Sequence, residues 1–241
     1  MNDKIDETRI KCELLLMLRR SKLLNARSIL SSEYVIGSTG RRADLAILNG
    51  TSFIGIEIKS RYDSLARLSD QLEVYRSCFT RVMLVVDERH VESATLRAGP
   101  SIEIWKVDSQ CGIQLHRAQE ISPIKIKSQL LKMLTTGDLK RALKLPSNSI
   151  IKKKELIQVM NGQPEEDIFR EVIYSFKQVY SETSSKFWAE TYRKKISPQS
   201  LQALSRFASV RIENNRKQEQ QHAFWDSWRE AAKVSLQDNW A

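Results

Sequence analysis

The chain has 241 residues, of which 41% are hydrophobic and 28% charged, and its formal net charge is +10. This composition is typical of a globular protein and excludes wholesale disorder, while the length allows one large domain or two smaller ones. The excess of positive charge favours nucleic acid as a partner over an anionic membrane. Because no apolar run reaches the roughly 18 residues of a membrane span, no membrane partner is expected.

The cysteines and the amino-terminal segment predict where the protein resides. Three cysteines lie far apart without C-x-x-C spacing, which favours reduced thiols over a disulfide framework or a zinc site. The first residues are polar and charged, whereas a signal peptide needs an apolar stretch. We therefore expect a cytoplasmic protein.

The first half of the chain alternates between helical and strand patterns of apolar residues. In chain order the pattern predicts a helix over 4–20, strands over 30–36, 43–48 and 53–60, a helix over 63–79, and strands over 81–87, 101–107 and 113–118. Residues 49–52 read Asn-Gly-Thr-Ser, which is typical of a hairpin turn. This order predicts an α/β fold.

The second half has a helical pattern throughout. Helices are predicted over 126–134, 138–144, 152–161, 165–182 and 198–237, the last beginning with Ser197 as cap and Pro198 as first residue. Basic residues outnumber acidic ones only slightly in residues 1–122 but strongly in 123–241. We therefore predict a domain over 1–122 and a basic helical domain over 123–241.

Three residues on two neighbouring predicted strands have the chemistry of a cation site. Asp44 opens one strand, and Glu57 and Lys59 lie two residues apart on the next. Side chains two apart share a face of a strand, and a hairpin places Asp44 beside Glu57. Carboxylate oxygens suit Mg²⁺ or Mn²⁺, and an adjacent lysine can orient water or stabilise developing charge. The pattern predicts phosphodiester hydrolysis, with Asp44 and Glu57 as metal ligands.

An E-x-K pair on a strand is also common on a solvated face, which is the alternative interpretation. Here Ile54, Ile56 and Ile58 form an apolar face, and Glu57 and Lys59 lie on the opposite one. If the following helix covers that second face, burying a charged pair there is costly unless the pair has a function. From spacing alone, both interpretations remain open.

The same residues resemble the motif of the PD-(D/E)XK nucleases, which include restriction endonucleases, Holliday junction resolvases and RecB-type exonuclease domains. In that motif an acidic residue begins the second strand and (D/E)-x-K lies on the third. Asp44 and residues 57–59 occupy these places, although Ala43 replaces the proline of the motif. The resemblance implies a restriction-endonuclease-like core, in which helices flank a mixed sheet, and a metal-dependent nuclease activity.

Further positions match features that many members of this superfamily share. A glutamine on the helix after the motif, often followed by an aromatic residue as Q-x-x-x-Y, is matched by Gln71 and Tyr75. Gln71 is therefore a further candidate catalytic residue. A glutamate on the first helix is matched by Glu7, with Glu13 behind it, and Glu33 just ahead of the first strand is another candidate.

Residues 5–120 also resemble a bacterial family of small, poorly characterised proteins predicted to be such nucleases. The shared features are R-x-D, E-I-K-S, D-x-L-x-R-L-x-x-Q and a later strand ending near a histidine. They are matched by Arg42, Asp63, Leu65, Arg67, Leu68 and His90. The resemblance implies a bacterial or phage protein. It is only faint in the helical second half of the chain.

Two residues near the predicted site have two interpretations each. Arg67 lies one helical turn before Gln71, so it either faces the site beside Gln71 or is an ordinary surface residue. His90 either acts near the site or simply ends a strand. We expect Arg42 and Arg67 to contact nucleic acid.

The helical half contains basic clusters that suit phosphate binding without sequence readout. The candidate contacts are Lys152, Lys153, Lys154, Arg193, Lys194 and Lys195. Aromatic residues among them either stack on unpaired bases or pack a helical core, and we favour the core for Phe187 and Trp188. Trp225 and Trp228 lie three apart and share a helix face, which suits a core, a protein partner or a homo-oligomer.

Two functions follow from the sequence. The first is a Mg²⁺- or Mn²⁺-dependent nuclease, with DNA as the expected substrate. The alternative is a catalytically inactive protein of the same fold that binds nucleic acid or a protein partner in a defence or mobile-element system. The presence of Asp44, Glu57 and Lys59 together favours the nuclease.

Overall fold

The computed structural model describes residues 5–204, which belong to one compact unit ending at Ser205. Its centre is a six-stranded sheet whose strands lie side by side in chain order. The strands are β1 (Ile29–Val35), β2 (Arg42–Asn49), β3 (Ser52–Lys59), β4 (Arg81–Asp87), β5 (Glu103–Val107) and β6 (Ile113–Arg117). Strands β3, β4 and β5 run parallel, whereas the outer pairs are antiparallel.

Helices cover both faces of this sheet. In the described residues they are α1 (Glu7–Arg20), α2 (Leu68–Cys78), α3 (Val91–Ala98), α4 (Lys127–Met133), α5 (Thr136–Ala142), α6 (Lys153–Met160), α7 (Glu165–Thr191) and α8 (Pro198–Gln202). The expected α/β fold, a mixed sheet flanked by helices and followed by a helical region, is confirmed. None of the described helices combines the length and apolar composition that crossing a membrane requires.

Strand β4 shows why the sheet has a core on each side. Its side chains alternate, with Leu84 and Val86 in one apolar cluster and Met83 and Val85 in the other. Successive side chains of a strand point to opposite faces, so a continuously apolar strand must be covered on both. Helix α1 contributes to one cluster, and α2 to α6 contribute to the other.

Helix α7 contributes to both clusters. Phe176 belongs to the cluster that includes α2, while Phe187 and Trp188 belong to the cluster that includes α1. Between them, the Ser184 hydroxyl accepts a hydrogen bond from the Leu30 N–H (2.8 Å) and lies 3.1 Å from the Leu30 carbonyl. The helix is therefore fixed to the edge strand β1. The predicted core role of Phe187 and Trp188 is confirmed, since both are buried.

The hairpin before the motif forms as predicted. Asn49 pairs with Ser52, so that only Gly50 and Thr51 form the loop between β2 and β3. Gly50 has φ +61°, a backbone conformation that favours glycine and is typical of tight hairpins.

Two helix predictions need correction, and one helix was missed. The helix predicted over 63–79 begins only at Leu68, because the Asp63 carboxylate accepts hydrogen bonds from Ser60 and holds a turn after β3. The helix predicted over 165–182 continues to Thr191, since its last turns still bury aromatic side chains. Helix α3 was not predicted.

The last predicted helix is described only at its start. Ser197 is the N-cap of α8 and Pro198 is the first residue of this helix, as predicted. Residues 203 and 204 form a turn, and the remaining part of the predicted helix, with Trp225 and Trp228, lies outside the described residues. The division near residue 122 separates a part with strands from a part with helices, and both parts contribute to the same two cores.

Candidate active site

Three acidic residues occupy one row across strands β1, β2 and β3. Leu45 pairs with Ser32 on one side and with Ile56 on the other. One position further along, this register places Asp44 opposite both Glu33 and Glu57. The pairing of β2 with β3 stops at Leu45, where the Ile58 N–H instead donates to Asp44 Oδ2 (2.6 Å). The two strands therefore part next to the carboxylates.

Glu33 interrupts the regular alternation of β1. Its φ is +58°, a left-handed conformation that is unusual for a glutamate inside a strand. Leu30 and Tyr34 would share a face of a regular strand, yet they belong to opposite apolar clusters. The backbone at Glu33 thus turns its side chain out of the strand pattern. A conformation of this kind costs about 1–3 kcal/mol, and functional sites are where such strain concentrates.

The Glu57 carboxylate is buried against α2. Gln71 Nε2 donates to its Oε1 (2.7 Å), and the Tyr75 hydroxyl lies 2.5 Å from its Oε2. Lys59 Nζ also contacts Oε1 at 2.7 Å. The helix therefore covers the face of β3 that carries Glu57 and Lys59, which favours a functional over a solvated pair. Gln71 and Tyr75 are both brought to the motif.

A cleft of about 510 Å³ opens above these residues. It is lined by Glu7, Gly40, Arg41, Arg42, Asp44, Glu57, Ile58, Lys59, Asp63, Ser64, Ala66, Arg67 and Gln71. The predicted residues Asp44, Glu57, Lys59 and Gln71 thus face one space, together with the expected nucleic-acid contacts Arg42 and Arg67. Both basic and acidic side chains line this cleft.

A donor set that suits a hard divalent cation lies at the edge of the cleft, where Glu7 and Asp44 line it and Glu33 lies beside them. Carboxylate oxygens of Glu7, Glu33 and Asp44 all lie within 4.8 Å of one another. Mg²⁺ and Mn²⁺ prefer such oxygen ligands. Glu57 does not belong to this group, and both of its oxygens contact protein donors. The donor set of Glu7, Glu33 and Asp44 therefore fits a divalent cation.

Burial and neighbouring carboxylates act together on Asp44. Burial raises its pKa well above the ordinary value, and the negative charges of Glu57 and Glu7 raise it further. Lys11 and the Ile58 N–H oppose this shift. An additional positive charge nearby would therefore favour the ionised form of Asp44.

Lys11 is the site residue that the sequence analysis missed. It projects from α1 and its Nζ contacts Glu7 Oε1 (2.6 Å) and Glu33 Oε1. Burial by itself lowers the pKa of this ammonium, but Asp44, Glu7 and Glu33 raise it above the ordinary value. The available signal was a lysine one helical turn after Glu7, on the apolar face of a predicted helix.

Comparison with known proteins places the chain in a family. A family model described as Bacteriophage P4 protein cII matches residues 1–205. The chain belongs to this family. The match ends at the residue where the compact unit ends, so it spans all the residues that the structure describes from the first helix onward.

One curated relative and one solved structure are similar to the chain. Protein cII of Enterobacteria phage P4 is 32% identical over 215 residues, which cover 86% of this chain and 80% of the relative. The solved structure is the SPO1766 protein of unknown function from Silicibacter pomeroyi, with 20% identity and a TM-score of 0.33. It covers 56% of this chain and 89% of its own. That structural likeness is too low to assign a fold.

Within this cII family member, the two arginines expected to bind nucleic acid lie at the cleft. Arg42 Nε contacts Glu33 Oε2 at 2.8 Å, and more than half of the Arg42 side chain remains exposed. Arg67 immediately precedes α2 and lines the cleft with Gln71. His90 lies in a short 3-10 turn after β4 and is not among the described cleft residues, which favours its role at a strand end.

The basic clusters of the helical half lie elsewhere on the described structure. Residues 152–154 are at the start of α6, and residues 193–195 follow α7. None of these six residues is among those that line the described cleft. Arg193 lies over the Tyr192 ring, and the Lys194 carbonyl accepts a hydrogen bond from Arg19. Their contact with nucleic acid stays a prediction.

Proposed function

We propose that the chain is a nuclease that hydrolyses phosphodiester bonds of DNA and requires Mg²⁺ or Mn²⁺. The observation that carries this proposal is the convergence of Asp44, Glu57 and Lys59 on one cleft with Arg42 and Arg67. The resemblance of these residues to the PD-(D/E)XK motif supports it.

The acidic residues of the cleft would hold the cation. Asp44 is the proposed central ligand. The motif pairs it with Glu57, and the structure places carboxylate oxygens of Glu7 and Glu33 within 4.8 Å of those of Asp44. A bound divalent cation would polarise a phosphate group and ease the ionisation of a water molecule.

The remaining residues of the motif have separate tasks. The Lys59 ammonium can orient the attacking water or stabilise the negative charge that develops on the phosphate, because it lies in the cleft beside Glu57. Gln71 and Tyr75, one turn apart on α2, each donate to a different oxygen of Glu57. They fix the direction of the carboxylate before substrate arrives.

The basic residues of the cleft favour a polyanionic substrate. Arg41, Arg42 and Arg67 offer positive charge around the acidic residues, where backbone phosphates would lie. The cluster at residues 152–154 would add attraction without reading sequence. Buried, unpaired thiols at Cys12, Cys78 and Cys111 suit the reducing cytoplasm, where we place this activity.

A cleavage assay with matched variants tests the proposal. Duplex, single-stranded and branched DNA and RNA are incubated with Mg²⁺ or Mn²⁺, and we expect DNA cleavage that EDTA abolishes. Asp44→Asn and Lys59→Ala should reduce cleavage by about a hundredfold or more, as losses of central catalytic groups do. Asp167→Asn and Lys177→Ala, which change α7 surface residues outside the cleft, are the controls. Metal-independent products, or equal cleavage by Asp44→Asn, would contradict the nuclease.

A second candidate function is binding without cleavage, and one observation favours it. Both oxygens of Glu57 already contact protein donors, which leaves this carboxylate little freedom to bind a cation. The protein would then bind nucleic acid or a protein partner, and its C-terminal helices could support self-association. A mobility-shift assay separates the candidates: binding that is unchanged by EDTA and by Asp44→Asn, with no cleavage of any substrate, supports this one.

A further inference from the structure

Lys11 is a charged residue in an otherwise apolar part of α1. Its neighbours Ile10, Leu14 and Leu15 are fully buried, and Lys11 itself is only 5% exposed. Lysines are almost never buried to this extent unless they are paired, because removing an ammonium from water is costly. Its position therefore requires a favourable interaction inside the protein.

That interaction comes from the acidic residues beside the cleft. The Lys11 ammonium contacts the carboxylates of Glu7 and Glu33, and Asp44 also acts on its charge. Glu33 binds Arg42 through its second oxygen. Lys11 thus lies among carboxylates whose oxygens are close enough for one cation to contact several of them.

Lys11 does not face the substrate space. It is absent from the described residues that line the cleft, whereas Glu7 and Asp44 line it. Any effect of Lys11 on the site must therefore act through these carboxylates, and not through direct contact with a phosphate. This makes it a positioning residue and not a catalytic one.

We propose that Lys11 is a built-in counter-ion that sets how tightly the cleft binds a divalent cation. Without a metal, its ammonium balances the carboxylates of Glu7, Glu33 and Asp44. When a cation binds at Asp44, the ammonium remains nearby and opposes the second positive charge. The inference rests on the proposed function, since it concerns the cation of that site.

The sign of the effect follows from the charges. Removing Lys11 leaves three carboxylates with less compensation, which destabilises the metal-free protein and strengthens attraction for Mn²⁺. Two charges a few Å apart in a partly buried site interact more strongly than in water, because the effective dielectric constant is lower there. A tenfold change in affinity needs only about 1.4 kcal/mol. Structural damage would have the opposite effect and weaken binding.

The experiment measures Mn²⁺ affinity of the full chain by calorimetry, with thermal unfolding as a second readout. Lys11→Met is expected to bind Mn²⁺ about tenfold more tightly or better, given the charge interaction above. Its Tm without metal should fall, and its rise on adding Mn²⁺ should exceed that of the wild type. Lys11→Arg keeps the charge and should retain nearly wild-type affinity. Lys177→Met removes an exposed lysine of α7 and is the net-charge control.

The outcomes separate this inference from the proposed function. If the wild type binds Mn²⁺ and cleaves DNA but Lys11→Met binds no more tightly, the inference is wrong and the nuclease stands. If Lys11→Arg also binds more tightly, packing and not charge is the cause, and the inference is again wrong. If neither the wild type nor any variant binds Mn²⁺, both the inference and the proposed metal-dependent nuclease are wrong. If Lys11→Met does not fold, the comparison is made in the Glu33→Gln background. The double variant Lys11→Met/Glu33→Gln must then bind Mn²⁺ more tightly than Glu33→Gln alone.

Discussion

The Tyr75 hydroxyl lies 2.5 Å from Glu57 Oε2 and 2.8 Å from the Arg42 carbonyl, and so joins α2 to both strands of the motif. Tyr75 is fully buried. Burial raises the pKa of this phenol well above its ordinary value, and the Glu57 charge raises it further. The hydroxyl therefore remains a protonated donor, and the carboxylate receives a fixed hydrogen bond from the protein.

Replacing Tyr75 by Phe removes this donor while keeping the ring. We expect the free energy of unfolding to fall by about 1–3 kcal/mol, because a buried carboxylate oxygen loses its partner. Cleavage should fall as well, since Glu57 is then held only by Gln71 and Lys59. Urea denaturation measures the first effect. Tyr174→Phe, at a half-exposed ring on α7, should change neither quantity, and an equally stable Tyr75→Phe protein would contradict the role of this bond.

Replacing Asp44 by Asn should stabilise the metal-free protein at neutral pH. The pKa of Asp44 is raised in the folded state, so this residue favours folding at low pH and loses that contribution as pH rises through the raised pKa. An amide removes the cost of the buried charge and can still accept the Ile58 hydrogen bond. In the presence of EDTA, the free energy of unfolding of Asp44→Asn should exceed that of the wild type at pH 7. This difference should shrink as the pH is lowered toward 4. A difference that grows on acidification would contradict this sign.

The backbone at Glu33 provides a direct test of strain. Because its φ is +58°, glycine should be tolerated better than alanine there, by about 1 kcal/mol in unfolding free energy. Both substitutions remove the same ion pairs, so these losses cancel in the comparison. At Gln114, an exposed position of β6, alanine should instead be tolerated better than glycine. Equal stability of Glu33→Gly and Glu33→Ala would show that the left-handed conformation is not required.

Gly55 allows α2 and the segment after it to approach β3. A Cβ at this position would lie 2.4 Å from Phe79 Cδ2, and Phe79 is fully buried among other aromatic rings. Gly55→Ala should therefore lower the unfolding free energy by about 1–3 kcal/mol through overpacking. It should also disturb Glu57, two residues away. Gly137→Ala is the control, because its Cβ would have an ordinary 3.6 Å contact with Thr135 Oγ1.

Much of the fold could be predicted from local patterns. The apolar runs of β3 and β4 and the Asn-Gly turn determined the strands and the hairpin, because side-chain alternation and turn geometry are local properties. The length of α7 was underestimated, since its last turns depend on burial against another part of the chain. Helix α3 is short and follows directly after a strand, where its periodicity is weak.

The sequence by itself determined the α/β class, the helical second part and the grouping of Asp44, Glu57 and Lys59 on adjacent strands. It did so because spacing of two residues on a strand and a two-residue hairpin leave little freedom. Only the tertiary structure decided that the acidic group is Glu7, Glu33 and Asp44, and that Lys11 lies among them. These contacts join α1 to β1 and β2, and depend on a left-handed glutamate and on which lysine the fold buries. Neither property is visible in the spacing of residues along the chain.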